Sequence, residues 1–188
     1  EPRRLTAAEA ALLVVLPLRA GAHPHEFVDT SLTFEMDAEG RLGAVHVVWR
    51  WDELMSLLTL EDLGLDPDHD GALSARERAT LAQRFSDWPE DFAGDMQLQH
   101  AGQVVALRRP HGMDVDLREG RFVLDFRRAL ADPIPMAGAS VRLQAFDPTY
   151  FVYYDVPELP GVIGPTACDV TRIAADLGAA RSLYERLV

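Results

Sequence analysis

A mainly β fold, an antiparallel sandwich of immunoglobulin type carrying an inserted pair of helices and ending in a short helix, is predicted by three features of the sequence. About eight short runs of alternating apolar and polar residues recur at regular spacing, separated by Gly, Asp and Pro turn signals. Between the second and third runs, at about 52–88, the apolar period changes from two to that of a helix. The 188 residues, 48% hydrophobic and 26% charged, suit one core of ordinary size, and no internal repeat or low-complexity linker divides them.

The elements follow in order. Residues 1–22 read as a secretory signal: Arg3 and Arg4, an apolar stretch over 10–18, then Ala20-Gly21-Ala22, the small-x-small pattern that signal peptidase accepts. The apolar stretch is shorter than the ~20 residues a bilayer core requires, so export to the periplasm with cleavage after Ala22 is expected, leaving a single domain over 23–188. Losing three Arg and two Glu with that segment takes the net charge from −12 to −13. Runs at 27–36 and 42–49 flank Asp37-Ala38-Glu39-Gly40, a hairpin with a four-residue loop. Leu54, Leu57, Leu58 and Leu60 place a helix over 52–63, and a helix start at Ser74 with Leu81 and Phe85 places another over 74–85.

Strands return at 96–99 and 104–108 around an Ala101-Gly102 turn, and at 115–117 and 122–126 around Glu119-Gly120. Pro133 and Pro135 mark a loop before a strand at 141–146, and Asp147-Pro148-Thr149 turns the chain into a last strand at 150–156. On that strand Tyr150 and Tyr154 share one face, with Phe151 and Tyr153 on the other, a pattern that suits half-burial; Asp147 and Tyr150 are candidates for a polar pocket wall. Leu177, Leu183 and Leu187 give the closing helix, 174–187, an apolar side.

The helical pair encloses the most specific motif, Asp66-Pro67-Asp68-His69-Asp70-Gly71-Ala72-Leu73-Ser74-Ala75-Arg76-Glu77, which matches an EF-hand calcium loop in register. Asp66, Asp68 and Asp70 supply side-chain oxygens at positions one, three and five, Ala72 a carbonyl at seven, Ser74 a direct or water-mediated contact at nine, and Glu77 the closing bidentate carboxylate at twelve. Gly71 stands where the backbone turns sharply, and Leu73 can pack inward. A single hand without an evident partner predicts affinity near the ~10⁻⁴ M of extracellular modules, hence a structural ion.

Cleavage after Ala22 would begin the mature chain with His23-Pro24-His25. The free amine and Nδ1 of a terminal His can chelate one ion, and His25, on the same strand face, adds a second imidazole; nitrogen donors of this kind favour Cu, Ni, Co or Zn over calcium. Pro24 has no amide proton to lose, which closes the planar tripeptide mode of copper and nickel binding. Asp29, His100 and His111 are further candidate ligands, whereas His46, between Val45 and Val47, reads as a hydrogen-bonded sheet residue.

Composition excludes several chemistries. All 18 basic residues are Arg, so lysine Schiff-base chemistry and a phosphate-loop lysine are ruled out, and the acidic balance disfavours nucleic acid as a partner. Cys168 is the sole cysteine, so no internal disulfide forms, and it reads as a small buried hydrophobe. No Gly-x-Ser-x-Gly elbow or His-Glu-x-x-His helix occurs, which points to a binding protein over an enzyme.

His23-Pro24-His25-Glu26-Phe27-Val28-Asp29, Trp49-Arg50-Trp51-Asp52-Glu53 and Asp147-Pro148-Thr149-Tyr150-Phe151 together resemble a bacterial family of unknown function whose members are labelled periplasmic components of an uncharacterised ABC-type transport system. The likeness extends over nearly all of the mature chain, with Arg50 and Phe151 where the family pattern carries a more hydrophobic residue and a Tyr. It implies a membrane metal transporter of nickel/cobalt or zinc type as partner, and so a periplasmic metal-binding accessory protein. Two other readings are a copper-dependent redox enzyme built on the terminal histidine and a calcium-stabilised binding module whose histidines hold no metal.

Overall fold

In the computed structural model, which describes residues 24–90 and 92–174, strand β1 (Glu26–Met36) buries Val28, Thr30 and Leu32 and turns Phe27 and Ser31 outwards. Strand β2 (Arg41–Trp51) repeats that alternation with Val45, Val47 and Trp49. The predicted hairpin between them is locked by Asp37, whose carboxylate accepts the N–H groups of Arg41 (2.9 Å) and Glu39 (3.1 Å) and pairs with the Arg41 guanidinium at 2.8 Å. Those bonds, the Arg41 N–H first among them, hold the Asp37 carboxyl below its ordinary value.

The helical pair is α1 (Glu53–Leu63) and α2 (Ala75–Ser86). Asp52 caps α1 by accepting the Met55 N–H at 2.9 Å, and Ser74 with Glu77 forms a capping box on α2. The four leucines that mark α1 in the sequence do not all face inwards: Leu54, Leu57 and Leu58 are 64%, 51% and 43% exposed. The face that packs carries Ser56 instead, fully buried, its hydroxyl donating to the Asp52 carbonyl (2.7 Å) and accepting the Phe122 N–H (3.0 Å). Helix α2 inserts Leu81, and an Arg78–Asp116 ion pair at 3.9 Å ties its outer side to the sheet.

Two short hairpins follow. Strands β3 (Met96–His100) and β4 (Gln103–Val105) join through Ala101 and Gly102, and β5 (Leu107–Arg118) joins β6 (Arg121–Pro135) through Glu119 and Gly120. All four linking residues have positive φ, between 48° and 76°, the twist that two-residue hairpin loops require. The single strand expected over 104–108 is divided at Ala106, because β4 and β5 belong to different sheets. The loop expected at Pro133 and Pro135 is strand: β6 pairs with β2 as far as Pro135, and the ladder slips between Leu42 and Ala44, where prolines without N–H groups are tolerated.

The larger sheet has the order β5-β6-β2-β1-β8, with β8 (Val152–Asp155) and β9 (Gly161–Ile163) both on the free edge of β1; the smaller has β4-β3-β7, with β7 spanning Val141–Ala145. The sheets are not wholly antiparallel. Both β8 and β9 run parallel to β1, because Asp147 folds the chain back before 152: its carboxylate accepts the N–H groups of Thr149 (2.7 Å), Phe151 (2.8 Å) and Val152 (3.0 Å). Tyr150 lies in that turn with a φ of 58°, so it does not share a strand face with Tyr154 as the alternation suggested.

Buried side chains from both sheets, Leu98 and Met96 with Val47, Val115, Leu124 and Phe126, join one hydrophobic cluster, against which Cys168 packs half-buried as a free thiol. Among the described residues no helix is long and apolar enough to cross a membrane. The expected signal segment at 1–22, His23 and nearly all of the closing helix at 174–187 lie outside the described residues.

Phe126 is fully buried, with its ring 4.9 Å from Trp49 and 5.8 Å from Trp88. Phe126→Ala is expected to destabilise the fold by about 3–5 kcal/mol, read as a lower urea midpoint with an unchanged slope.

Candidate metal centre

Helices α1 and α2 flank the acidic loop at 66–74. One ligand atom from each of Asp66, Asp68 and Asp70 falls within 4.8 Å of the others, the one such group of three metal-donor side chains among the described residues. The backbone shapes this cluster: Asp66, His69 and Gly71 have φ values of 51°, 55° and 77°, and Asp66 accepts the N–H groups of Asp70 (3.0 Å) and Gly71 (3.1 Å). Glu77 spans the ends of the loop, one carboxylate oxygen accepting the Ser74 N–H (2.8 Å) and the other the Asp66 N–H (3.2 Å). Hydrogen bonding to the Ser74 side chain first, and then to the Ser74 and Asp66 N–H groups, holds its carboxyl below the ordinary value, ionised as a cation ligand must be. Leu73 is buried, anchoring the loop from within, while Ala72, Ser74 and His69 are exposed.

The second candidate position is the start of β1. Phe151, placed by the Asp147 turn, offers its carbonyl to the N–H groups of His25 (2.9 Å) and Glu26 (3.2 Å), and its ring lies 5.0 Å from the imidazole of exposed His25. From the other side Asp52 and Phe27 exchange two bonds, the Phe27 N–H to the Asp52 carboxylate (3.0 Å) and the Asp52 N–H to the Phe27 carbonyl (2.9 Å). Glu26 between them is half-buried, and its carboxyl is raised by burial first and then by the charges of Asp52 and Asp147. Such a field lowers the free energy of any cation held nearby.

The remaining candidates are not gathered there. Asp29 shares the outward face with His25 and Phe27, but its carboxylate is paired with Arg121 at 3.0 Å. His100 ends β3 in the other sheet and donates from Nδ1 to the Ser140 carbonyl at 3.0 Å. His111 does not border a turn: it lies inside β5, three strand spacings or about 14 Å from β1. His46 is held as expected, with Nε2 2.7 Å from Asp125 Oδ1. Asp147 acts as the turn-former already described, and Tyr150 is exposed beside it.

Three distant stretches, 25–29, 49–53 and 147–151, thus meet at one strand end. Residues 8–188 match the family described as a protein of unknown function (DUF1007). The chain belongs to that family. None of the curated proteins matches it. In this family member, sequence reasoning overlooked Glu26 as a charge-bearing neighbour and Asp52 as a clamp on β1. The second had a signal, an Asp directly before a helical run; the first had none, since the proximity of Asp147 arises only on folding.

Deeper in, the Tyr154 hydroxyl donates to Asp95 at 2.8 Å, and burial is the main reason that both groups titrate above their ordinary values. Because the folded state holds the Asp95 proton more tightly, stability is greatest below the unfolded carboxyl value near 3.8 and declines as pH rises through the raised one. Asp95→Asn keeps an acceptor for Tyr154 and suits the φ of 47° at this position. It is expected to raise the melting temperature at pH 7, with the gain vanishing near pH 3; a pH-independent gain would contradict the electrostatic cause.

Proposed function

We propose that this protein is a periplasmic metal-binding accessory protein, an immunoglobulin-like sandwich with one EF-hand, that serves a membrane transporter for a transition metal of the Ni, Co, Zn or Cu class. Signal cleavage after Ala22 would expose the amine of His23, and amine, His23 and His25 would hold the ion, with water completing the shell. The observation that carries this reading is the anchoring of His25: its N–H and that of Glu26 share the Phe151 carbonyl, and Glu26, Asp52 and Asp147 make the surroundings acidic. A flexible tail would lose its chelating geometry to conformational entropy, and fixing the second imidazole reduces that loss. The role beside a transporter rests on the family resemblance of the three convergent motifs.

Calcium suits the loop at 66–77 on donor chemistry, since the clustered ligand atoms of Asp66, Asp68 and Asp70 are all carboxylate oxygens. Asp66, Asp68, Asp70 and Glu77 would supply side-chain ligands, Ala72 its carbonyl, and Ser74 a direct or bridged contact. The ion's part is to neutralise these acids and stiffen the link between α1 and α2. Glu77→Gln is expected to weaken calcium binding about tenfold or more and to abolish the rise in melting temperature on adding calcium, with transition-metal content unchanged. Loss of both metals together would show that the two places are one site.

The decisive experiment compares protein matured by export, its amino terminus sequenced, with a version retaining residues ahead of His23. Elemental analysis should find about one transition-metal ion in the first and little in the second. A terminus other than His23, or equal metal in both, overturns the reading.

A further inference from the structure

Strand β6 carries its core face on Phe122, Leu124, Phe126 and Leu130, and in the same row stands Arg128, only 3% exposed. A cation in that row needs a reason. Its guanidinium donates to the carbonyls of Arg108, Ala93 (3.0 Å) and Leu107 (3.2 Å) and lies 4.9 Å from the centre of the Trp88 ring. The Leu107 and Arg108 carbonyls belong to the irregular stretch where β5 slips against β6, so part of the role is to hold that irregularity. Three neutral carbonyls use three of five N–H donors and leave the charge unneutralised. No described carboxylate pairs with it, although acids outnumber bases by 30 to 18 in the chain. Burial alone pulls its pKa down to about 10, so it is still charged at neutral pH.

Arg128 borders an open cavity of about 560 Å³, a volume typical of small-molecule sites. Its walls are aromatic and aliphatic, from Trp88, Phe92, Phe146 and Val104, the last three exposed by 37%, 42% and 64%. Gly94 lets the loop press on this centre: a Cβ there would run into both the Trp88 ring and the Arg128 guanidinium. Arg109 adds a second cation to the lining, and Glu90 and Asp95 add carboxylates, Asp95 being engaged by the Tyr154 hydroxyl. We propose that this cavity binds a small amphipathic monocarboxylate, its carboxylate on the spare Arg128 donors and its apolar body against Trp88, Phe92, Phe146 and Val104. A planar guanidinium matches a carboxylate in two-point contact. Inorganic phosphate lacks an apolar body to meet these walls, and metal cations are repelled by Arg128 and Arg109. The site is separate from the metal positions and does not depend on them.

Octanoate and its uncharged analogue octanol test this by isothermal titration against the full mature chain. Octanoate should bind at least tenfold more tightly than octanol, and Arg128→Gln, which retains a donor for the carbonyls, should remove that difference. Val104→Asp, at an exposed position on the rim, keeps Arg128 but replaces an apolar wall residue by a negative charge; it should weaken octanoate several-fold more than octanol, and it decides the matter if circular dichroism shows that the Arg128 variant is unfolded. Equal binding of octanoate and octanol, no octanoate binding at millimolar concentration, tighter binding of inorganic phosphate, or octanoate affinity unaltered by these substitutions would each overturn the proposal.

Discussion

The hydrogen bonds gathered by the Asp147 carboxylate are the constraint on which the arrangement at the start of β1 depends. Free N–H groups in a reversing turn would face solvent or go unpaired; Asp147 takes those of Thr149, Phe151 and Val152 together, and burial is outweighed by these donors, which keep the carboxyl ionised. The turn sets the direction of β8, so the edge of β1 is covered by parallel strands, and it delivers the Phe151 carbonyl to His25 and Glu26. A shift of one residue here would turn β8 over, exchanging the faces of Tyr153 and Tyr154 and breaking the Tyr154–Asp95 bond.

Charge is sorted within the fold despite the acidic total. Glu26, Asp52 and Asp147 gather where β1 starts, while Arg128 lies over the Trp88 ring. Asp95 belongs to both settings, since it lines the Arg128 cavity and its carboxyl is raised partly by Asp147. The two settings adjoin, since Phe146 and Pro148 on either side of Asp147 line the same cavity as Arg128.

Local patterns in the sequence carried over well. The alternation in 27–36 and 42–49, the helix start signal at Ser74, and the two hairpin turns with Gly at the second position all reflect bonds or dihedral preferences within a few residues. What failed was set by neighbours distant in sequence. Pro133 stays in a strand because β2 slips opposite it, Leu54, Leu57 and Leu58 stay outside because Ser56 makes the contact with β6, and the parallel edge is fixed by a side-chain turn that reads as an ordinary Asp-Pro. At the candidate sites the acidic cluster was legible, since Asp66, Asp68 and Asp70 lie in one short stretch. Arg128 was not, because the expected strand ended at Phe126, and only the longer β6 carries the inward row on to position 128.

The state of the helix pair bears on what an ion in the loop could do. Glu77 already bridges to Asp66, α1 is pinned by Ser56 and Asp52, and α2 is pinned by Leu81 and by Arg78 on Asp116. A calcium ion entering this loop would displace N–H contacts of Glu77 and relieve repulsion among Asp66, Asp68 and Asp70, without a large apolar face left to uncover by reorienting the helices. A sensor needs a closed form that differs from an open one in what it shows to partners. Here Leu54, Leu57 and Leu58 are exposed beforehand, so binding would add rigidity without a change of message. A cavity of about 250 Å³ separates Glu26 on β1 from Asp62 and Arg84 on the helices, so a stiffer helix pair would fix one wall of that cavity and leave Glu26, the neighbour of His25, on the other.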